Sequence, residues 1–168
     1  QVASMDSMVS AFANYANTPE IQKTLVSLNM LINKAASLYD NHDGVRVDLD
    51  LSGDLPKLQL DQDAISRVLI NLIKNAIEAK QEKIELNINI RSILKEKDGL
   101  VQLTMTDDGK GFPSDIIDQV FEPYITTKEK SGGLGLAIVQ NIIEPVSYTH
   151  LRAHETDSYL VCRLLLEK

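Results

Sequence analysis

Arg67, Asn71, Asn75 and Glu78 recur at spacings of four, four and three residues, which puts them on one face of a helix. Asparagine is a poor helix former because its side chain competes for backbone hydrogen bonds. Two of them one turn apart therefore cost stability unless something uses them. The chemistry they suit is that of a hard cation: Mg²⁺ takes one or two protein oxygens and completes its shell with phosphate and water. Taken alone, the row is accounted for more simply as a solvated polar face.

Two further stretches could serve an anionic, flat-ringed ligand. Asp107-Asp108-Gly109-Lys110-Gly111 follows an alternating segment. Glycines at spacing two let the backbone turn sharply and let a flat ligand come close, and a strand-end carboxylate can accept a hydrogen bond from an exocyclic amine such as that of adenine. For the isolated motif, a plain Asp-Gly turn is the simpler account. Gly132-Gly133-Leu134-Gly135-Leu136-Ala137 opens an apolar helical stretch. Free N–H groups at such a helix start can hold phosphate, with Thr126, Thr127, Lys128 and Lys130 adding donors and charge. A lone glycine-rich turn is weak evidence. Phe121, Pro123 and Tyr124 stand at the base of the long loop between the two stretches, the kind of loop that often covers a ligand.

These residues need a scaffold. Residues 61–80 form the clearest helix, with Asp61 or Asp63 as its cap and a stripe of Ile65, Val68, Leu69, Leu72, Ile73, Ala76 and Ile77. Residues 84–93 and 100–106 alternate around the charged turn 95–99 and predict a hairpin. Val45, Val47, Leu49 and Leu51 predict a strand with one wet face, residues 24–28 a short strand, and Leu58 with Leu60 a second short edge. Helices are expected over 1–16, 29–40, 114–120 and 134–143. The expected fold class is α+β, a two-layer sandwich whose mostly antiparallel mixed sheet is covered on one face by helices.

The order of the stretches is more specific than any one of them. "NLIKNAIEA" resembles the N box, "DDGKGF" the first glycine box, "FEPYITTK" the F box and "GLGLAIVQ" the second glycine box of the catalytic ATP-binding domain of bacterial sensor histidine kinases. This is the Bergerat-type fold shared with gyrase, Hsp90 and MutL. "MVSAFANYANTPE" resembles the end of the second helix of the dimerisation hairpin, and with "FEPYITTKEK" it is most similar to the nitrogen-regulation, NtrY-type kinases. The resemblance covers residues 1–144. It divides the chain into the end of the dimerisation and phosphoacceptor hairpin (1–18), the catalytic domain (20–144) and a tail (145–168).

The resemblance implies a role for each matching position. Asn75 is the Mg²⁺ ligand that ties the triphosphate of ATP to the helix. Asn71 stands where gyrase-type ATPases carry a glutamate that activates water; an amide is no general base, so phosphoryl transfer is favoured over hydrolysis. Asp107 binds the adenine amine, Gly109 and Gly111 shape its pocket, and Gly133, Leu134 and Gly135 present N–H groups to the phosphates. Lys128 neutralises phosphate charge. The implied activity is that of a protein-histidine kinase whose γ-phosphate passes to a histidine on its own dimerisation domain, within a homodimer of the full-length protein, and then to a response regulator. The implied location is the cytoplasmic side of an inner-membrane-anchored sensor. Alternatives are a nucleotide-binding or scaffolding module without transfer, or a Ser/Thr kinase or ATPase of the same fold.

Two departures matter. Ser131 and Gly132 stand where family members carry Gly and Thr or Ser, and no phosphoacceptor histidine lies before Asn17. The substrate histidine is therefore expected upstream of Gln1, and this fragment alone is not expected to autophosphorylate. After Glu144 the expected glycine turn and two closing strands give way to "PVSYTHLRAHET", a string that resembles a translated sequencing-adapter read fused to unrelated genes. Residues 145–168 are thus expected to be non-native, with "YLVCRLLL" apolar enough to pair with an open sheet edge. His150, His154 and Cys162 then form no metal site.

The totals are compatible with all this. The 168 residues carry a net charge of -7, which argues against loose binding to nucleic acid or to an anionic membrane. A single cysteine allows no internal disulfide and suits a reducing compartment. The longest apolar run, 68–73, is broken by Asn71 and is far short of the ~20 residues that span a bilayer. Gln1 in place of an initiator Met suggests a piece of something longer.

Overall fold

The computed structural model of the chain describes residues 21–81, 85–113, 115–125, 133–143 and 158–165, the last stretch by its backbone. The helix expected over 1–16 lies outside them. The element order is β1 (Thr24–Val26), α1 (Leu28–Ser37), β2 (Val45–Leu51), β3 (Leu58–Leu60), α2 (Gln62–Glu78), β4 (Leu86–Lys95), β5 (Leu100–Asp107), α3 (Gly135–Ile143) and β6 (Ser158–Leu165).

A four-stranded sheet runs β2-β4-β5-β6, and β1 pairs with β3 in a separate two-stranded ribbon. β2 and β4 are parallel, whereas β4–β5 and β5–β6 are antiparallel. A parallel pair needs a crossover, usually a helix. Here it passes through β3 and α2, and this lays the Asn71–Asn75 helix across the sheet. β4 and β5 are joined through a 3-10 turn, Glu96–Asp98, closed by Gly99 at φ 60.

One face of the sheet is apolar. Along β4, Leu86, Ile88 and Ile90 are buried while Asn87, Asn89 and Arg91 are exposed; Val101, Leu103 and Met105 continue the buried face on β5. Against it pack Ile65, Val68, Leu69, Leu72, Ile73 and Ala76 of α2, Leu31, Ile32 and Ala35 of α1, and Val139 and Ile143 of α3. The buried polar side chain of Ser92 donates to Asn29 Oδ1 at 2.8 Å, and Asn29 Nδ2 donates to Ser52 O at 2.7 Å, so burial leaves this network satisfied.

Two expectations are adjusted. The helix over 29–40 starts at Leu28, behind a Ser27 cap, and stops at Ser37, where the chain enters a turn. The stretch 114–120 yields only a 3-10 turn, Ile117–Gln119. Bonds from Ile116 N to Pro113 O, Gln119 N to Ile116 O and Glu122 N to Gln119 O keep the tight three-residue spacing, which does not extend into long helices. Beyond the expected helices, residues 158–165 pair with β5 along its whole length, Leu100 opposite Leu165 and Asp107 opposite Ser158.

Asp61 starts the functional helix. Its carboxylate accepts from Ala64 N at 2.9 Å and from Gln22 N at 2.8 Å, so it caps α2 and also pins the chain entering β1. Partial burial pushes its carboxyl up, but these N–H groups, that of Asp63 and the charge of Arg67 more than offset this and hold it below the usual range. A lowered folded-state pKa means the stabilisation is complete above the unfolded value of about 3.9 and is lost as pH falls through the folded one. Asp61→Ala is expected to cost about 1 kcal/mol, or roughly 2–4 °C of melting temperature at neutral pH. The gap to the parent should close in strong acid, which melts across a pH series would record.

Candidate functional site

The site is built along the C-terminal half of α2. Asn71 and Asn75 are half-buried on the face turned to α3. Asn71 Nδ2 donates to Arg67 O one turn back at 3.0 Å, which fixes the amide plane of Asn71. Gly135, the first residue of α3, lies against both. A Cβ on Gly135 would stand 3.2 Å from Asn75 Oδ1 and 3.7 Å from Asn71 Oδ1. A side chain at Gly135 would press on the Asn75 amide, and the glycine lets this helix start come close to both asparagines.

Leu134 is buried, and its carbonyl accepts from Ile138 N at 2.9 Å, the first turn of α3. The N–H groups ahead of that bond have no carbonyl within the helix to receive them. No acidic residue stands in the first turn of α3. Gly133, at φ +63, is pressed against the other end of the loop: its carbonyl accepts from Tyr124 N at 3.0 Å, and a Cβ on it would meet Tyr124 Cα at 2.9 Å. Tyr124 itself has φ 69, a conformation that bulky residues rarely hold, with its ring exposed. The base of the loop is thus pinched shut between Tyr124 and Gly133. Lys128, Ser131 and Gly132 lie outside the described residues.

The C-terminal end of α2, one turn past Asn75, holds the Asp-Gly turn. Asp107 ends β5, and its Oδ1 accepts from Gly109 N at 3.0 Å. Gly109 has no room for a side chain: a Cβ would lie 3.0 Å from Ala79 Cβ and 3.1 Å from Ala79 O. The same Ala79 carbonyl accepts from Lys110 N at 3.1 Å. Gly111 is needed for a different reason, its φ of 68. The turn is therefore stitched to the residue that caps α2, four positions beyond Asn75, and one rigid helix spaces the carboxylate of Asp107 from the amides of Asn71 and Asn75.

Asp108 faces away from this stitch. Burial pushes its carboxyl up, but hydrogen bonds from the side chain and backbone of Asn87 outweigh that and hold it below the usual range. Asn87 and the Ala79 carbonyl carry no sequence signal of their own; the doubled aspartate at 107–108 was the visible trace of the first.

The donor set suits a phosphate-bound hard cation. Asn75 and Asn71 carry neutral amide oxygens, and the close approach at Gly135 sets the start of α3 beside them. Among the described residues no three or more His, Cys, Asp or Glu side chains gather into a metal cluster. No helix among them is long and apolar enough to cross a membrane.

Comparison with known proteins identifies the family. Residues 60–165 match the family described as histidine kinase-, DNA gyrase B-, and HSP90-like ATPase. The sensor histidine kinase ZraS of Escherichia coli K12 is 33% identical over 144 residues, covering 83% of this chain and 30% of that protein. A putative NtrY-like sensor histidine kinase of Rickettsia conorii is 35% identical over 144 residues, covering 82% of this chain and 23% of that protein. This chain therefore spans less than a third of the length of either relative. The catalytic domain of the histidine kinase ThkA superposes with a TM-score of 0.71 at 26% identity, covering 86% of this chain and 95% of the domain. Its mixed sheet, its three described helices and its matched residues place the chain in the histidine kinase-, DNA gyrase B- and HSP90-like ATPase family.

Proposed function

We propose that residues 20–144 bind ATP with Mg²⁺ and direct its γ-phosphate to a histidine on a dimerisation helix, for relay to a response regulator. The observation that carries this reading is the close approach at Gly135, where the start of α3 meets the amides of Asn71 and Asn75. Asn75 would hold the cation, which neutralises phosphate charge when bound. The N–H groups at Gly133, Leu134 and Gly135 would take the phosphate oxygens, and Asp107, oriented by Gly109 N, would accept from the adenine amine. Asn71 supplies an amide where hydrolysis would need a base, so it can orient a phosphate oxygen but not deprotonate water. What the chain then contributes to transfer is positioning and electrostatics. Lys128 is assigned to the phosphates by family likeness.

The 33% and 35% relatives are sensor histidine kinases, and this favours transfer to histidine over a Ser/Thr kinase or an ATPase. Residues 1–18 would close the dimerisation hairpin, residues 145–168 would be a non-native replacement of the closing strands, and the parent would be anchored in the inner membrane. Nitrogen regulation rests on the NtrY-like relative. The test is to mix the chain with γ-labelled ATP, Mg²⁺ and a separately supplied dimerisation domain bearing its histidine. Acid-labile, base-stable label on that domain is expected. ATP binding without label transfer would leave a nucleotide-binding module.

A further inference from the structure

We infer that Asn87 and Asp108 form a latch that positions Asp107 for base recognition; the inference rests on the function proposed above and assigns its selectivity to a pair outside the pocket. The last ladder pair of β4 and β5 is Ile88 with Asp107. One residue further, Asp108 N donates to Asn87 O at 3.2 Å, while the Asp108 carboxylate accepts from Asn87 N at 2.7 Å and from Asn87 Nδ2 at 2.7 Å. Three bonds thus join two residues, two of them short and charge-assisted.

Both residues are exposed, and water could satisfy every group involved. The latch therefore adds little to global stability, since exposed hydrogen bonds exchange for water at small net gain. What it supplies is restraint. Asp107 is held on its C-terminal side by two straps to different bodies: residue 108 to the sheet through Asn87, and Lys110 N to the end of α2 through Ala79 O. With Gly109 wedged against Ala79, the turn whose Gly109 N–H orients the Asp107 carboxylate can shift only if a strap opens. A binding group has to be held within about 0.5 Å of its productive place. Asp107 itself stays paired with Ile88 and Ser158, but opening the sheet-side strap would loosen the Gly109 N–H that orients its carboxylate, leaving Asn71, Asn75 and Gly135 where they are.

The test uses the full chain and calorimetric titration with Mg²⁺ and three probes: ATP, GTP and inorganic tripolyphosphate. Asp108→Ala, which removes both carboxylate bonds of the latch, is expected to weaken ATP about three- to fivefold. It should narrow the preference for ATP over GTP by a similar factor and leave tripolyphosphate unchanged. The exchange Asn87→Asp with Asp108→Asn keeps a donor and an acceptor facing each other and should restore the preference. An unchanged ATP-to-GTP ratio in Asp108→Ala would overturn the latch, as would equal losses for ATP and tripolyphosphate or failure of the exchange to restore the ratio. A parent chain that binds tripolyphosphate but shows no preference for ATP would overturn the adenine reading itself, and the latch with it.

Discussion

Asn75→Ala is expected to abolish Mg²⁺-dependent binding of ATP. Outer-shell partners of a metal ligand already cost about 10–100-fold in metal affinity when removed, so loss of the ligand itself should cost at least the upper end of that range. The substitution removes the amide oxygen that lies against Gly135 and leaves the backbone of α2 intact. Alanine is the better helix former, so the fold should survive. The residual affinity measured without Mg²⁺ should match that of the parent, because Asp107 and the turn at 109–111 are untouched. Thermal melts give an independent readout: a ligand at about a hundred times its dissociation constant stabilises by about 2.7 kcal/mol, and that increment should vanish in the variant only when Mg²⁺ is present. Retained Mg²⁺-dependent affinity would remove Asn75 from the site. Asn71→Ala should behave differently. Its amide is oriented by Arg67 O and lies farther from Gly135, so its loss should lower transfer more than binding.

What was legible in the sequence was legible for physical reasons. α2 announced itself because seven apolar residues at helical spacing must face one way, and its cap was visible because aspartate before a helix has a function there. The hairpin of β4 and β5 was visible from strict alternation around a charged turn. The residues proposed to face the nucleotide stood out as costs: asparagines inside a helix and glycines at its start reduce helix stability unless something uses them. The parallel pairing of β2 with β4 was not readable from either strand, because register across a crossover depends on how α2 packs rather than on local pattern. The short turn at 117–119 was overestimated because Ile116, Ile117 and Val120 mimic a helical stripe too brief to nucleate. The latch at Asn87 was invisible for a third reason. An exposed asparagine on a strand looks like any wet-face residue until its partner 21 positions away is known.

Removal of residues 145–168 is expected to have the second large effect, on stability rather than binding. β6 pairs with all eight residues of β5, and β5 carries Val101, Leu103 and Met105 into the core and ends at Asp107. Whatever the origin of its sequence, an apolar strand on an open edge satisfies backbone groups that would otherwise face water in strained, half-exposed geometry. At roughly 1 kcal/mol net for each ladder bond, the loss amounts to several kcal/mol out of a typical total of about 5–15 kcal/mol. For a chain of this size each kcal/mol moves the melting temperature by about 2–4 °C, so a chain ending at Glu144 should melt about 10 °C or more below the parent. It should also bind ATP more weakly, because the strand that presents Asp107 becomes an edge. The converse follows from the reading of the tail as a replacement. Restoring a glycine turn and two closing strands after Glu144 should raise the melting temperature above that of the 168-residue chain, since strands selected for this core would fill it better than one that pairs through generic hydrophobicity. Coincident melts for the chain ending at Glu144 and its parent would show that β6 contributes nothing. A restored chain no more stable than the present one would show that residues 145–168 close the sheet as well as any native edge.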